Sequence, residues 1–389
     1  MNGAAIRIGS VRGIPIRIHV TFLIVLPFLA VGFGRVFTEA ARVAEVPAEQ
    51  LWGSPIAWGL AVALALFLSV LVHELAHSLY ALRKGGRVRD ITLLMIGGVS
   101  QISEGPKTGR QEAVMALVGP VASLVLGGVF YVVYRAVAGT TLFNLKFAIF
   151  HLVYLNVVLG LFNLLPAFPM DGGRILRGML AERWGILRAT RVAARAGKAF
   201  AVLFAVVGFF APNVLLMVIA FFVYVGAEAE DRSVLVRALL GHIHVRDLMG
   251  SRPHPVDPST SVFDVGERMV RERRLAFPVA EGGTVLGIVG LEDVERVPSA
   301  DRERIRVADV VRRVPSVDAS DEASKALRVF AEARTPVLPV VEAGALVGVI
   351  SETDIARGLQ LSKLEATQHP SAAGPPSTRH GVPRAEQHA

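Results

Sequence analysis

Two histidines four residues apart, with a glutamate beside the first, stand at His73-Glu74-Leu75-Ala76-His77. Residues at this spacing share one face of a helix. Both imidazoles can then approach one metal ion while Glu74 reaches a water on that ion as general base. In a chain with 10 histidines, chance alone supplies such a pattern roughly once in a hundred sequences. The run around it is otherwise apolar, and ionisable groups inside an apolar span are costly and functional by default. A polar packing cluster or a proton relay is the competing reading. Two imidazoles do not complete a catalytic zinc site, which takes three protein ligands and a water. The best-placed third donor is Asp171, in the run Asn163-Leu-Leu-Pro166-Ala-Phe-Pro169-Met-Asp171-Gly172-Gly173. There two prolines stop a helix and two glycines allow a close backbone turn. Glu104 and Glu112 are the next carboxylates to consider. The chain has no cysteine, which excludes thiolate nucleophiles, disulfides, iron–sulfur clusters and cysteine-based zinc sites.

The elements that must position these groups are membrane spans. The 389 residues are 52% hydrophobic and 19% charged, and the charge is unevenly placed. Up to Arg232 there are 21 Lys and Arg against 12 Asp and Glu; beyond it there are 20 against 21. A basic excess confined to the apolar part points to membrane orientation rather than to nucleic acid, and no nucleic-acid partner is expected. Segments 18–34, 56–82, 113–134 and 146–171 each approach the roughly 20 apolar residues that a span needs. The stretch 199–227 is free of charge but broken by Pro212 and Asn213, so it reads as one kinked span or as a hairpin. With a hairpin and a cytosolic N-terminus, 17 basic residues fall on the cytosolic side and only Arg35, Arg42, Arg135 and Lys146 outside. Six spans with both termini cytosolic is the topology adopted. Residues 88–102, rich in β-branched side chains and carrying Gly97 and Gly98, are too short to span and read as a re-entrant or extended element. Lipid cannot satisfy such a backbone, so it must be buried among helices or line a water-filled cavity. In this topology the second and fourth spans both run from outside to inside. His77 lies six residues before Arg83 and Asp171 three before Arg174. The two half-sites then lie at depths within about 10 Å of each other, near the cytosolic boundary.

After Asp231 short β-branched runs alternate with charged helical stretches, and the pattern repeats. Val256-Asp257 recurs as Val317-Asp318, Pro278-Val279 as Pro339-Val340, and LGIVGLEDV at 286–294 as VGVISETDI at 347–355, all offset by 61 residues. This tandem resembles a pair of CBS domains, over 243–298 and 305–360. The resemblance implies an α/β module on the cytosolic side that takes an adenosine-containing nucleotide, an adenine nucleotide at Ser351 and Asp354, and can pair with a second copy as a homodimer. The first copy offers Asp293 but has Gly290 where the second has a hydroxyl. A turn and a helix cap would explain the same residues without a ligand. Residues 361–389 are rich in Pro, Ala and Ser and are expected to be disordered.

The HELAH motif followed by NLLPAFPMDGG in a later span resembles the site-2 protease family of intramembrane zinc metalloproteases, whose signatures are HExxH and NxxPxxPxDGG. The likeness extends over residues 1–232, including GIPIRIHVTF before the first span and the Gly97-Gly98 segment. It implies one zinc ion held by His73, His77 and Asp171, with Glu74 as base and acid and Asn163 at the substrate or oxyanion. For Asn163 a helix–helix hydrogen bond competes. It further implies intramembrane proteolysis of a single-span membrane protein of the anti-sigma or pro-sigma factor type. Gly97 and Gly98 could present a strand edge to the unwound substrate. The expected fold is a polytopic α-helical membrane protein of about six spans with a short extended element, plus the cytosolic tandem module. A CBS-regulated transporter or channel is the alternative.

Overall fold

The structure is a computed structural model that describes residues 5–368 except 96, 107, 242, 252, 253 and 334, and except the side chains of 103, 104, 251 and 362–368. The chain divides into two compact units, Met1–Val234 and Leu235–Ala389.

The first unit opens with strands β1 (Ala5–Val11) and β2 (Ile14–His19), which the sequence reading missed. His19 then caps the first helix by accepting from Thr21 N. Helices α1 (Val20–Val43) and α2 (Pro55–Arg83) follow. Ser54 at the N-cap and Pro55 in the first turn start α2, where neither the cap hydroxyl nor the missing N–H costs a helical bond. Strands β3 (Arg87–Leu94) and β4 (Gly97–Glu104) come next, then α3 (Gly109–Val137), α4 (Phe143–Asn163), α5 (Asp171–Trp184), α6 (Ile186–Phe210) and α7 (Val214–Leu240). The four strands form one sheet in the order β1-β2-β3-β4, with β2 and β3 parallel and the other pairs antiparallel. Within the segment 88–102, residues 88–94 and 97–102 are thus extended, as its composition requires, and β4 is an end strand of the sheet.

Five helices, α1, α2, α3, α4 and α6, are long and apolar enough to cross a membrane. The count of six made from sequence includes α7, whose apolar part ends at Glu228, Glu230 and Asp231. The stretch 199–227 is a hairpin: the chain turns at Ala211–Asn213, and Ala201 packs with Val223 while a Cβ at Gly197 would touch Ala227. Lys198 of α6 pairs with Glu228 of α7 across the base of the hairpin.

The second unit holds α8 (Val245–Leu248), β5 (Gly250–Ser251), α9 (Val262–Glu272), β6 (Ala276–Glu281), β7 (Thr284–Gly290), α10 (Leu291–Glu295), α11 (Val307–Val310), β8 (Val317–Asp318), α12 (Ala323–Ala333), β9 (Val337–Glu342), β10 (Ala345–Ser351) and α13 (Glu352–Gln368). The landmarks of the internal repeat take matching positions in the two copies. Val256 bridges Val279 in parallel in the first copy, and Val317 bridges Val340 in the second. Asp257 accepts from the N–H and hydroxyl of Ser259, and Asp318 does the same with Ser320. These bonds favour the charged form and hold both carboxyls below their ordinary pKa. Each copy has its own apolar core, around Phe277 and Val289 in one and Phe330 and Leu338 in the other. Residues 361–368, expected to be disordered, continue α13, and 369–389 lie outside the described residues.

Candidate metal centre

His73 and His77 sit one turn apart on the inner face of α2, both buried. Asp171 reaches them from the first residue of α5, where the helix dipole favours a negative side chain. Its Oδ2 lies 3.1 Å from His73 Nε2 and 3.1 Å from His77 Nε2, and the two Nε2 atoms are 3.2 Å apart. Four ligands around a zinc ion at bonds of about 2.0–2.1 Å stand about 3.3 Å from one another, so this triangle is the right size for three of them. These three residues are the group of His and carboxylate side chains among the described residues that could hold a metal.

The remaining ring nitrogens are also assigned. His77 Nδ1 donates to the Met115 carbonyl at 2.7 Å, and His73 Nδ1 is 2.9 Å from Ser123 Oγ. A carbonyl only accepts, so the His77 proton is on Nδ1 and the lone pair of Nε2 faces the centre. A cation is what such converging lone pairs and a carboxylate require. The space for it comes from Gly119 of α3. A Cβ built there would stand 2.1 Å from His77 Nε2 and 2.8 Å from His73 Nε2.

Met115, Gly119 and Ser123 were not singled out from sequence. Gly119 and Ser123 belong, with Gly127, to a stripe of small residues four apart, the pattern that lets membrane helices approach closely, whereas Met115 acts through its backbone and leaves no such signal. Two expectations change. Gly172 and Gly173 do not form a turn; they are the second and third residues of α5, tightly covered by Leu164, Leu165 and Ala167. Glu112 is committed elsewhere: Arg177 of α5 binds it and, through Nη1 at 2.8 Å, Glu230 of α7. Together with the backbone-to-backbone crossing of Gly109 and Gly178, this largely buried ion pair fastens α3 to α5. The side chain of Glu104 lies outside the described residues.

Glu74 projects toward β4. A Cβ at Gly98 would lie 2.4 Å from Glu74 Cγ, so only glycine lets the strand come this close, whereas Gly97 has open space around it and takes a positive φ of 134°. Asn163 donates to Leu159 O of its own helix at 2.9 Å and makes no bond to another helix among the described residues. In the second unit Asp293 is buried and already engaged, accepting from Gly290 N at 2.8 Å and Arg312 Nε at 2.9 Å. Asp354 accepts from Ser351 N and Ser351 Oγ and stays half-buried.

Residues 61–148 and 139–206 match peptidase family M50, and residues 245–299 and 307–361 match the CBS domain. A zinc metalloprotease of Methanocaldococcus jannaschii is 33% identical over 365 residues, covering 93% of this chain and 98% of that one. Rip3 of Mycobacterium tuberculosis is 30% identical over 376 residues, 92% of this chain and 94% of its own length. The solved site-2 protease from Methanocaldococcus jannaschii is 34% identical and covers 58% of this chain and 95% of that one, with a TM-score of 0.41. The transporter or channel alternative finds no support in these matches. Similarity to a metalloprotease along nearly the whole chain, with a donor triangle sized for zinc, places the chain in peptidase family M50, as a multi-pass membrane zinc metalloprotease of the site-2 type that carries tandem CBS domains.

Proposed function

We propose that the protein hydrolyses peptide bonds in or beside the transmembrane segment of single-span membrane proteins of the anti-sigma or pro-sigma factor type. In this reading His73, His77 and Asp171 hold zinc and Glu74 is the catalytic base. The observation that carries it is the meeting of three donor atoms within 3.2 Å around the hollow left by Gly119. An ion in such a site supplies Lewis-acid polarisation of a carbonyl and a water acidified to a pKa of about 7. The chain's own residues do the rest. Asp171 and the two imidazoles, held at Nδ1 by Met115 and Ser123, keep the donor geometry fixed. Glu74 takes the proton of the attacking water and delivers it to the leaving amine. A substrate helix hides its carbonyls in its own hydrogen bonds, so it must unwind locally. The end strand β4, with Gly97 and Gly98, offers backbone groups with which the unwound segment can pair. Asn163 faces the substrate or oxyanion with the amide capacity left beyond Leu159.

The loop charges support a cytosolic N- and C-terminus and a centre near the cytosolic side. The tandem module then meets cytosolic nucleotide, and its second copy, with Ser351 and Asp354, is the site proposed for an adenine nucleotide. Asp293, held by Arg312, is the weaker candidate. A second copy of the chain is proposed to dock on the module through α9, where Phe263 and Val270 are exposed. The test of the proteolytic reading compares membrane proteomes of cells expressing the wild type and Glu74→Gln. Single-span proteins that lose a cytosolic fragment only with the wild type support it; identical proteomes overturn it.

A further inference from the structure

Glu74 is one member of a hydrogen-bonded chain that begins outside its own motif. Ser100 of β4 donates to Glu74 Oε2 at 2.6 Å. The same hydroxyl lies 3.3 Å from the Glu74 carbonyl, and it accepts from Ser78 Oγ at 3.1 Å. Ser78 is wholly buried one turn beyond Glu74 on α2, so its hydroxyl has been withdrawn from water and committed to this contact. Hydroxyls linked in series polarise one another, and a bond to a carboxylate is stronger than one between neutral groups. Side chains two apart on a strand share a face. Gly98 and Ser100 therefore both meet α2: the first lets β4 approach the Glu74 methylenes, and the second grips the carboxylate.

A glutamate side chain has three rotatable bonds, and a base that must meet a water within hydrogen-bond reach works only in one arrangement of them. Nothing in the HExxH motif itself fixes that arrangement. The strand proposed to receive the substrate is the element that does. We propose that Ser100 is a positioning residue that aims the Glu74 carboxylate, with Ser78 orienting the Ser100 hydroxyl, so that the substrate strand and the catalytic base are one mechanical unit. The inference rests on the proteolytic reading above and on Glu74 as its base. Substrate pairing along β4 would firm the strand, and with it the aim of the base, before chemistry begins.

The test uses the full-length protein in detergent. The probe is a synthetic single-span peptide, rich in Ala and Leu with a central Gly-Pro break, carrying a fluorophore and quencher on either side of the break. Misplacing a reacting group by about 1 Å costs on the order of 100-fold in rate, so Ser100→Ala should lower kcat between about 10- and 100-fold with KM within about twofold. Zinc should remain at one per chain, because Ser100 touches no metal-binding residue. Ser100→Thr, which keeps the hydroxyl and suits a strand, should restore kcat to within about threefold of wild type. Ser78→Ala should give a smaller loss in the same direction. Wild-type kcat in Ser100→Ala, a rise in KM with kcat unchanged, or failure of Ser100→Thr to recover activity would each overturn the proposal while leaving proteolysis intact. Equal rates for the wild type and Glu74→Gln would instead overturn the proteolytic reading and this inference with it.

Discussion

Replacing Gly119 by alanine puts a methyl carbon 2.1 Å from His77 Nε2 and 2.8 Å from His73 Nε2. A zinc–nitrogen bond is about 2.0–2.1 Å, so the methyl stands where an ion held by these imidazoles would stand. Carbon and nitrogen in ordinary contact need about 3.5 Å, which leaves a deficit of about 1.4 Å. Backing α3 away by that amount would break the bonds that His77 Nδ1 makes to Met115 O and His73 Nδ1 makes with Ser123 Oγ, which orient the two rings. Losing such supports alone costs about 10- to 100-fold in metal affinity, and the methyl adds direct exclusion, so a loss of at least about 100-fold is expected. With free zinc buffered at ten times the wild-type Kd, occupancy should fall from about 0.9 to below about 0.1 per chain. Metal analysis of purified protein after equilibration reads this directly. Gly128→Ala is the control for helix propensity, because its Cβ meets nothing within 4 Å on the same helix. Full zinc in Gly119→Ala under conditions where Gly128→Ala is also full would refute the argument.

Glu74→Gln should reduce cleavage by about 100-fold or more while keeping one zinc per chain, whereas His73→Ala, His77→Ala and Asp171→Ala should lose the metal itself; metal analysis beside a cleavage assay separates the two classes. Arg177→Met leaves Glu112 and Glu230 without their shared cation, which should cost about 3 kcal/mol, read as a lowered thermal midpoint in detergent. The double variant Arg177→Met with Glu112→Gln should recover part of that loss. Asp354→Ala should abolish calorimetric binding of ATP, ADP and AMP to the full-length chain, while Asp293→Ala should leave it unchanged. Binding that survives Asp354→Ala would move the nucleotide elsewhere.

The helices and the donor residues were legible because they follow from local rules. Apolar run length marks spans, and four-residue spacing puts His73 and His77 on one face. The 61-residue offset marked the tandem module through three pairs of landmarks, but not the turns that Asp257 makes with Ser259 and Asp318 with Ser320. What escaped the sequence depends on partners far along the chain. Ile14, Ile16 and Ile18 alternate strictly, a strand signal that a search for long apolar runs passes over, and the partner that holds β2 in the sheet is β3, some 75 residues later. Arg177 reads as one more cytosolic charge and is in fact a largely buried clamp. Met115 acts through its carbonyl, which no side-chain pattern can reveal, and Gly119 acts by having no side chain at all. Asp171 stood out beside its prolines, yet the helix it begins was unforeseen, since Gly172 and Gly173 speak for a turn until their close packing is seen.

The place of β4 at the end of its sheet bears on selectivity. A strand edge recognises N–H and C=O groups, which every polypeptide carries alike, so pairing there cannot by itself tell one membrane protein from another. If substrates pair along β4 as proposed, discrimination shifts to the candidate's own helix: the free energy needed to free a short segment from its hydrogen bonds becomes the filter. Segments rich in Gly, Pro or β-branched residues pass cheaply and leucine- or alanine-rich ones poorly. An enzyme built this way sorts substrates by their local helical stability rather than by a sequence motif, and one accidental helix-breaking substitution can turn a bystander into a target.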